Sequence, residues 1–229
     1  NTGSSETSIW TKYKNGERTI YGYKFRDNYK KNEILDEIII TPTTKGVKDI
    51  PITKQEIVDQ NYLTLDEVNY IYDKALQLFK FGQEYASDRN LILVDTKYEF
   101  GKVDNRIILI DELHTCDSSR FWIKNSYQEN FDNGLEPVKL DKDAIRDWVK
   151  NQCDPYKEQI PIIPNEVKNK VEKVYTSFYE NLTDNTLLSS NTIDKDKFLD
   201  NYYENIHKNI VVILGGSISD SKHLNQIKN

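Results

Sequence analysis

The stretch Asp95-Thr96-Lys97-Tyr98-Glu99-Phe100-Gly101, followed by Leu109-Ile110-Asp111-Glu112 and then by Asp117-Ser118-Ser119-Arg120, is the densest concentration of chemically capable side chains in the 229-residue sequence. Lys97 and Glu99 are two positions apart, so on a strand they face the same side, and a hairpin brings Asp111 beside them. Two carboxylates with a lysine between them suit Mg²⁺ carrying a nucleotide phosphate. That ion takes oxygen ligands, and the ammonium offsets charge on a phosphoryl group in transfer. The same spacing is also that of a solvated hairpin with cross-strand ion pairs, and spacing alone leaves both readings open.

The elements that must position these groups are legible in part. Leu91 to Val94 is a short apolar run; Tyr98 to Val103 and Ile107 to Ile110 flank Asp104-Asn105. Three adjacent strands are expected there, the last two forming a hairpin. Thr53 with Glu56 and Thr64 with Glu67 have capping-box spacing. The second box opens a long helix to about Asp88, with Val68, Ile71, Ala75, Leu76, Phe79 and Tyr85 on its buried face. Thr19 to Phe25 reads as one strand, and the proline of Thr41-Pro42-Thr43-Thr44-Lys45 ends any strand begun at Glu37 to Ile40. Further helices are expected over Lys142 to Asn151, Asn165 to Asn181 and Lys195 to Lys208, Pro164 leading into the second.

Composition excludes several classes. Thirty-one Lys+Arg against 37 Asp+Glu leaves a net charge of −6, so a uniformly basic nucleic-acid binder is not expected. The 37% hydrophobic and 11% aromatic content is too apolar for disorder, and no apolar run is long enough for a membrane span. Cys116 and Cys153 lack metal-site spacing and are expected to be reduced thiols of a cytoplasmic protein. The sequence contains no methionine and opens on Asn1-Thr2-Gly3-Ser4-Ser5, which leads us to expect a segment of something longer.

Several long motifs occur in one order: Thr2-Gly3-Ser4 with Ile9-Trp10-Thr11-Lys12-Tyr13, Thr41-Pro42-Thr43-Thr44-Lys45, Leu91 to Gly101, Leu109 to Trp122, and Asp154-Pro155-Tyr156. Across roughly residues 1–182 this order closely resembles SAICAR synthetase. The resemblance implies an α+β fold of the two-lobed, ATP-grasp- or kinase-like SAICAR synthetase type, here without most of the N-terminal nucleotide lobe. It implies ligation of L-aspartate to the carboxylate of the imidazole nucleotide CAIR with ATP and Mg²⁺. Glu99 and Asp111 would hold the metal, Asp111 and Lys97 would serve the chemistry, and Lys97 would contact the reacting carboxylate or phosphate. Ser119 and Arg120, with Asp117, would hold the substrate's anionic groups, Arg120 in bidentate fashion. Gly3 and Ser4 would lie in a substrate loop, and Asp49 carries over from the family's His-Asp, whose histidine is Lys48 here. Cys116 replaces the family's proline, which would loosen that turn.

Ile210 to Leu214 is a continuous apolar run entering Gly215-Gly216-Ser217-Ile218-Ser219-Asp220. It resembles the first strand and phosphate loop of AIR carboxylase, a flavodoxin-like domain, with Gly216, Ser217, Ser219 and Asp220 as the anion loop. The implied organisation is a partial synthetase region over 1–182, a linker or helix over 183–209, and the start of a carboxylase domain over 210–229. A bifunctional enzyme that oligomerises with itself through the carboxylase would follow. Two rival readings are a non-catalytic relative that binds nucleotide without turnover, and a phosphotransferase acting on another carboxylate. His114 beside the site motif is read as either solvated or a supporting hydrogen-bond donor, His207 and His223 as solvated, and Trp10, Trp122 and Trp148 as packing residues.

Overall fold

The computed structural model describes residues 7–46, 49–155 and 157–186. Gly3, Ser4, the helix expected over 195–208 and the Gly216–Asp220 loop lie outside these. Within the described residues the chain is α+β. Helix α1 (Ile9–Lys14) leads to two-residue strands β1 (Thr19–Ile20) and β2 (Tyr23–Lys24), then α2 (Lys54–Asp59) and α3 (Leu65–Ser87). Strands β3 (Leu91–Thr96), β4 (Glu99–Val103), β5 (Arg106–Ile110) and β6 (Ser119–Ile123) follow, then α4 (Lys124–Asp132), α5 (Asp143–Gln152) and α6 (Asn165–Thr183).

Both capping boxes form. Thr53 Oγ1 accepts from the Glu56 amide and Thr64 Oγ1 from the Glu67 amide, while each glutamate reaches back to its threonine's backbone N–H. Helix α3 buries Val68, Gly82 and Ala86; Tyr85, expected on that face, is instead exposed and stacks with Phe81. The expected β4–β5 hairpin is present with Glu99 opposite Ile110. Asp104 and Asn105 both take positive φ, 48° and 61°, the two-residue turn whose twist matches the strands.

Strand β3 departs from expectation. It pairs antiparallel with β6, not with the hairpin, which forms its own two-stranded sheet. Thr19 to Phe25 is likewise two short strands, because Tyr21 and Gly22 turn the chain at positive φ. The β3–β6 register slips between Leu93 and Asp95, and this bulge matters for the site. Leu91, Leu93 and Phe121 face the core. Without the extra residue Asp95 would share that face; with it, Asp95 turns to meet Arg120 on the other side.

The main core joins Ala86, Leu91, Leu93, Cys116, Phe121, Leu140 and Phe178. The Phe121 and Phe178 ring centroids lie 4.7 Å apart, which ties α6 beneath the β3–β6 sheet. A second cluster of Ile9, Tyr13 and Ile20 is closed by Trp10, Tyr21, Phe25, Tyr29 and Ile39. Trp122 is buried and stacks on Tyr127, in line with a packing role.

Candidate active site

Two segments that converge carry the cluster. Lys97 sits in the two-residue break between β3 and β4, so the strand periodicity expected to align it with Glu99 does not operate, yet Lys97 Nζ lies 2.6 Å from Glu99 Oε1. Lys45 Nζ meets the same oxygen at 2.6 Å. It arrives from a loop in which the Thr44 N–H donates to Ile50 O and the Ile52 N–H to Pro42 O. That loop also brings Asp49 Oδ2 to 3.7 Å from Lys97 Nζ. The hydrogen bond with Glu99 raises the Lys97 ammonium above its ordinary pKa, with Asp49 and Asp111 adding to the effect. Hydrogen bonds from Lys45 and Lys97 lower that of Glu99 against its burial. Both groups are therefore charged at neutral pH. Asp111 follows Ile110, the residue opposite Glu99, and turns away from the strand at φ 74°.

An open cleft of about 300 Å³ continues from Lys97 and Asp111 past Asp117 and Ser119 to Arg120 and Lys142. Arg120 Nη1 donates to both Asp95 oxygens at 2.9 and 2.8 Å, and its Nε donates to Asp143 Oδ2 at 3.0 Å. The two aspartates keep this guanidinium charged at any working pH despite its desolvation. Two edges of the fork are thus committed inside the protein, and binding of a substrate anion falls to what remains. Ser119 is buried, its hydroxyl 2.8 Å from that of Thr96 and 3.2 Å from that of Ser118, so it shapes the cleft wall. Asp117 pairs with Lys142 at 3.4 Å.

The turn carrying Cys116 is closed. Thr115 Oγ1 accepts from the amides of Asp117 and Ser118, and the Lys142 amide donates to Cys116 O. A proline is not required when Thr115 supplies the acceptor. Burial pushes the Cys116 thiol up to about 11. Next to it, Asp141 is fully buried; its Oδ1 accepts from the Asp143 amide while its Oδ2 has no partner, and burial pushes its carboxyl up to about 6. His114, left open by the sequence, is bonded through Nε2 to the Tyr98 hydroxyl at 2.5 Å.

Among the described residues no group of three or more His, Cys, Asp or Glu side chains is arranged to hold a metal ion. Mg²⁺ does not require one, since one or two carboxylates with substrate phosphates and water commonly complete its shell. Glu99 and Asp111, which follows the residue opposite Glu99, could supply two such oxygens. Sequence reasoning missed Asp143 and Lys142, and it gave no role at the site to Lys45 or Asp95, which stood only within quoted motifs. Lys45 stood in a motif singled out above, but nothing in the sequence indicated its distance to Glu99.

These features define a class: an α+β protein with a cleft, among the described residues, where lysines and an arginine are held among paired carboxylates. The chain belongs to the SAICAR synthetase family, whose family model matches residues 2–163. It is 50% identical over 161 residues to the chloroplastic phosphoribosylaminoimidazole-succinocarboxamide synthase of Vigna aconitifolia, covering 69% of this chain and 47% of that protein. Against the synthase of Legionella pneumophila the figures are 45% over 184 residues, 79% and 59%. Against that of Bacteroides fragilis they are 38% over 212 residues, 90% and 65%. The chain thus spans about half to two thirds of the length of these relatives. Among solved structures, SAICAR synthase from Saccharomyces cerevisiae complexed with SAICAR superposes with a TM-score of 0.63 at 28% identity, over 78% of this chain and 57% of that one. A SAICAR synthetase in complex with ADP gives 0.51 at 25% identity, over 69% and 56%. Among the described residues no helix is long and apolar enough to cross a membrane.

Proposed function

We propose that the protein carrying this chain ligates L-aspartate to the carboxylate of CAIR at the expense of ATP, giving SAICAR, ADP and phosphate. The observation that carries this reading is the Lys45–Glu99–Lys97 cluster with Asp49 and Asp111 around it, inside the residues that match the family. A carboxylate is a poor electrophile until one of its oxygens is phosphorylated. Transfer of the γ-phosphoryl group to that oxygen releases ADP. The aspartate amine then attacks the acyl carbon, the new C–N bond forms, the C–O bond to phosphate breaks, and the amine loses its proton. The protein's part is to align these groups and neutralise their charge.

Lys97, charged and exposed at the cleft, would meet the reacting carboxylate or the transferring phosphoryl. Arg120 and Ser119, with Asp49 and Asp117, would orient the nucleotide's polar groups, and Gly3 and Ser4 would complete the substrate loop. Glu99 and Asp111 are the oxygen donors suited to Mg²⁺, which when bound would neutralise phosphate charge. The reading is tested by incubating the protein with Mg²⁺-ATP, CAIR and aspartate; multiple-turnover ADP release that requires both CAIR and aspartate supports it, and sustained release without aspartate refutes it.

We further propose that residues 210–229 begin an AIR carboxylase domain of a bifunctional, self-associating cytoplasmic enzyme. Support comes from the Ile210–Leu214 run and the Gly-Ser-Ile-Ser-Asp motif alone. Failure of the protein to convert AIR to CAIR would remove it.

A further inference from the structure

The two segments bearing the carboxylate pair meet at one point outside the charged cluster. Tyr98 stands between Lys97 and Glu99; His114 stands three residues after Asp111, and the two side chains bond at 2.5 Å with ring centroids 5.6 Å apart. His114 adopts φ 53° and Asp111 φ 74°, left-handed conformations uncommon outside glycine, which aspartate and histidine enter more readily than most and which their surroundings can favour. The surroundings here are helix α3. A Cβ at Gly82 would fall 2.7 Å from His114 Nδ1 and 2.8 Å from Leu93 Cδ2, closer than such atoms approach. Glycine is a poor mid-helix residue, and its place in α3 is accounted for by this ring.

We infer that Tyr98, His114 and Gly82 form a positioning tether that clamps the Asp111–Thr115 turn to the Lys97–Glu99 segment and to α3, so fixing Asp111 relative to Glu99. The ring docks on Gly82, the hydroxyl–imidazole bond closes the link to Tyr98, and the turn carrying Asp111 and Glu112 follows the ring. A cavity of about 160 Å³ lined by Gly82, His114, Leu113, Phe121 and their neighbours adjoins the ring. That space lets His114 swing away once either contact is lost, and Asp111 would move with it. The role given to Asp111 rests on the ligase reading, but the tether itself is a statement about the chain.

The test compares the full chain with Tyr98→Phe, Gly82→Ala and His114→Gln by hydrogen–deuterium exchange and by Mn²⁺ binding in the presence of ATP. Tyr98→Phe removes one hydrogen bond and keeps the ring, so amides of residues 111–115 should exchange about five- to tenfold faster, the weight of one such bond. Exchange in β3, β6 and α6 should stay unchanged. Mn²⁺ affinity should fall by a similar factor with KM for CAIR unaltered. Gly82→Ala should reproduce the effect by displacing the ring, and His114→Gln, whose amide oxygen can accept from Tyr98, should restore part of it. Unchanged exchange at 111–115 in Tyr98→Phe overturns the tether, as does a uniform rise across the chain. Parent protein without Mn²⁺ binding or turnover would instead overturn the ligase reading, the exchange data still deciding the tether.

Discussion

Replacing Arg120 by methionine tests how the cleft is built. Its guanidinium donates to both Asp95 oxygens from β3 and to Asp143 at the start of α5, and all three side chains are only 18–23% exposed. Removing the cation leaves two largely desolvated carboxylates close together, with Asp143 retaining the longer contact to Arg146 at 3.5 Å. Breaking a buried pair in this way costs about 3–5 kcal/mol, and the residual exposure places this case near ~3 kcal/mol. For a chain of this size that lowers the melting temperature by about 6–12 °C. Arg120→Lys keeps the charge but not the fork and should lose roughly half as much. The effect carries a pH signature. Burial alone would raise the Asp143 carboxyl; Arg120 outweighs it and holds the pKa below the ordinary value. A depressed carboxyl stabilises the fold above its unfolded pKa, about 3.9, and that stability is lost as pH falls through the lower folded value. The gap between parent and Arg120→Met should therefore be full at pH 7 and narrow below pH ~4. Thermal unfolding followed by circular dichroism across this range is the assay. A variant melting within ~2 °C of the parent at pH 7, or a gap independent of pH, would show that this triad does not join the sheet to α5.

Other consequences can be checked more briefly. Lys97→Ala should lower kcat/KM by about 100-fold or more, the scale on which a positioned charge acts, while an ammonium that is 53% exposed leaves the melting temperature almost unchanged. Glu67, held at about 2 by Lys102 and the Thr64 cap, should titrate well below an ordinary glutamate by NMR. Its contribution to stability is present above pH ~4.3 and lost toward pH 2, and Glu67→Gln should abolish that dependence. Asp141 has the opposite sign. Its carboxyl is raised to about 6, so its ionisation penalises the folded state as pH climbs from about 4 through 6. At ~1.36 kcal/mol per unit the penalty is about 3 kcal/mol at neutral pH, and Asp141→Asn should lack this slope in chemical denaturation.

Local signals were legible where one residue type fixes one geometry. The Thr64/Glu67 box located the start of α3, and Asp104-Asn105 located the hairpin, because side-chain capping and left-handed turns are decided within four residues. Pairings across distance were not. Strand β6 follows directly on the Asp117–Ser119 turn and reads as part of that motif, so its partnership with β3, and the bulge that turns Asp95 toward Arg120, had no local marker. Helix α4 escaped notice because it starts at Lys124 directly after β6 ends at Ile123, with no turn residue to mark the change. Lys97, Glu99 and Asp111 were singled out from residue type and the hairpin, and the structure brings Lys97 to Glu99 although Lys97 lies outside the strand. Lys45 was quoted without its role, and Arg120 was read as an open anion trap although two aspartates distant in sequence already occupy much of its fork.

Coupled measurement of ADP release and SAICAR formation bears most directly on the ligase reading. We expect one ADP and one phosphate per SAICAR formed, with release requiring CAIR, aspartate and a divalent cation together, and abolished in Lys97→Ala. Sustained ADP release over many turnovers without CAIR or aspartate, or turnover unaffected by loss of Lys97, would contradict it.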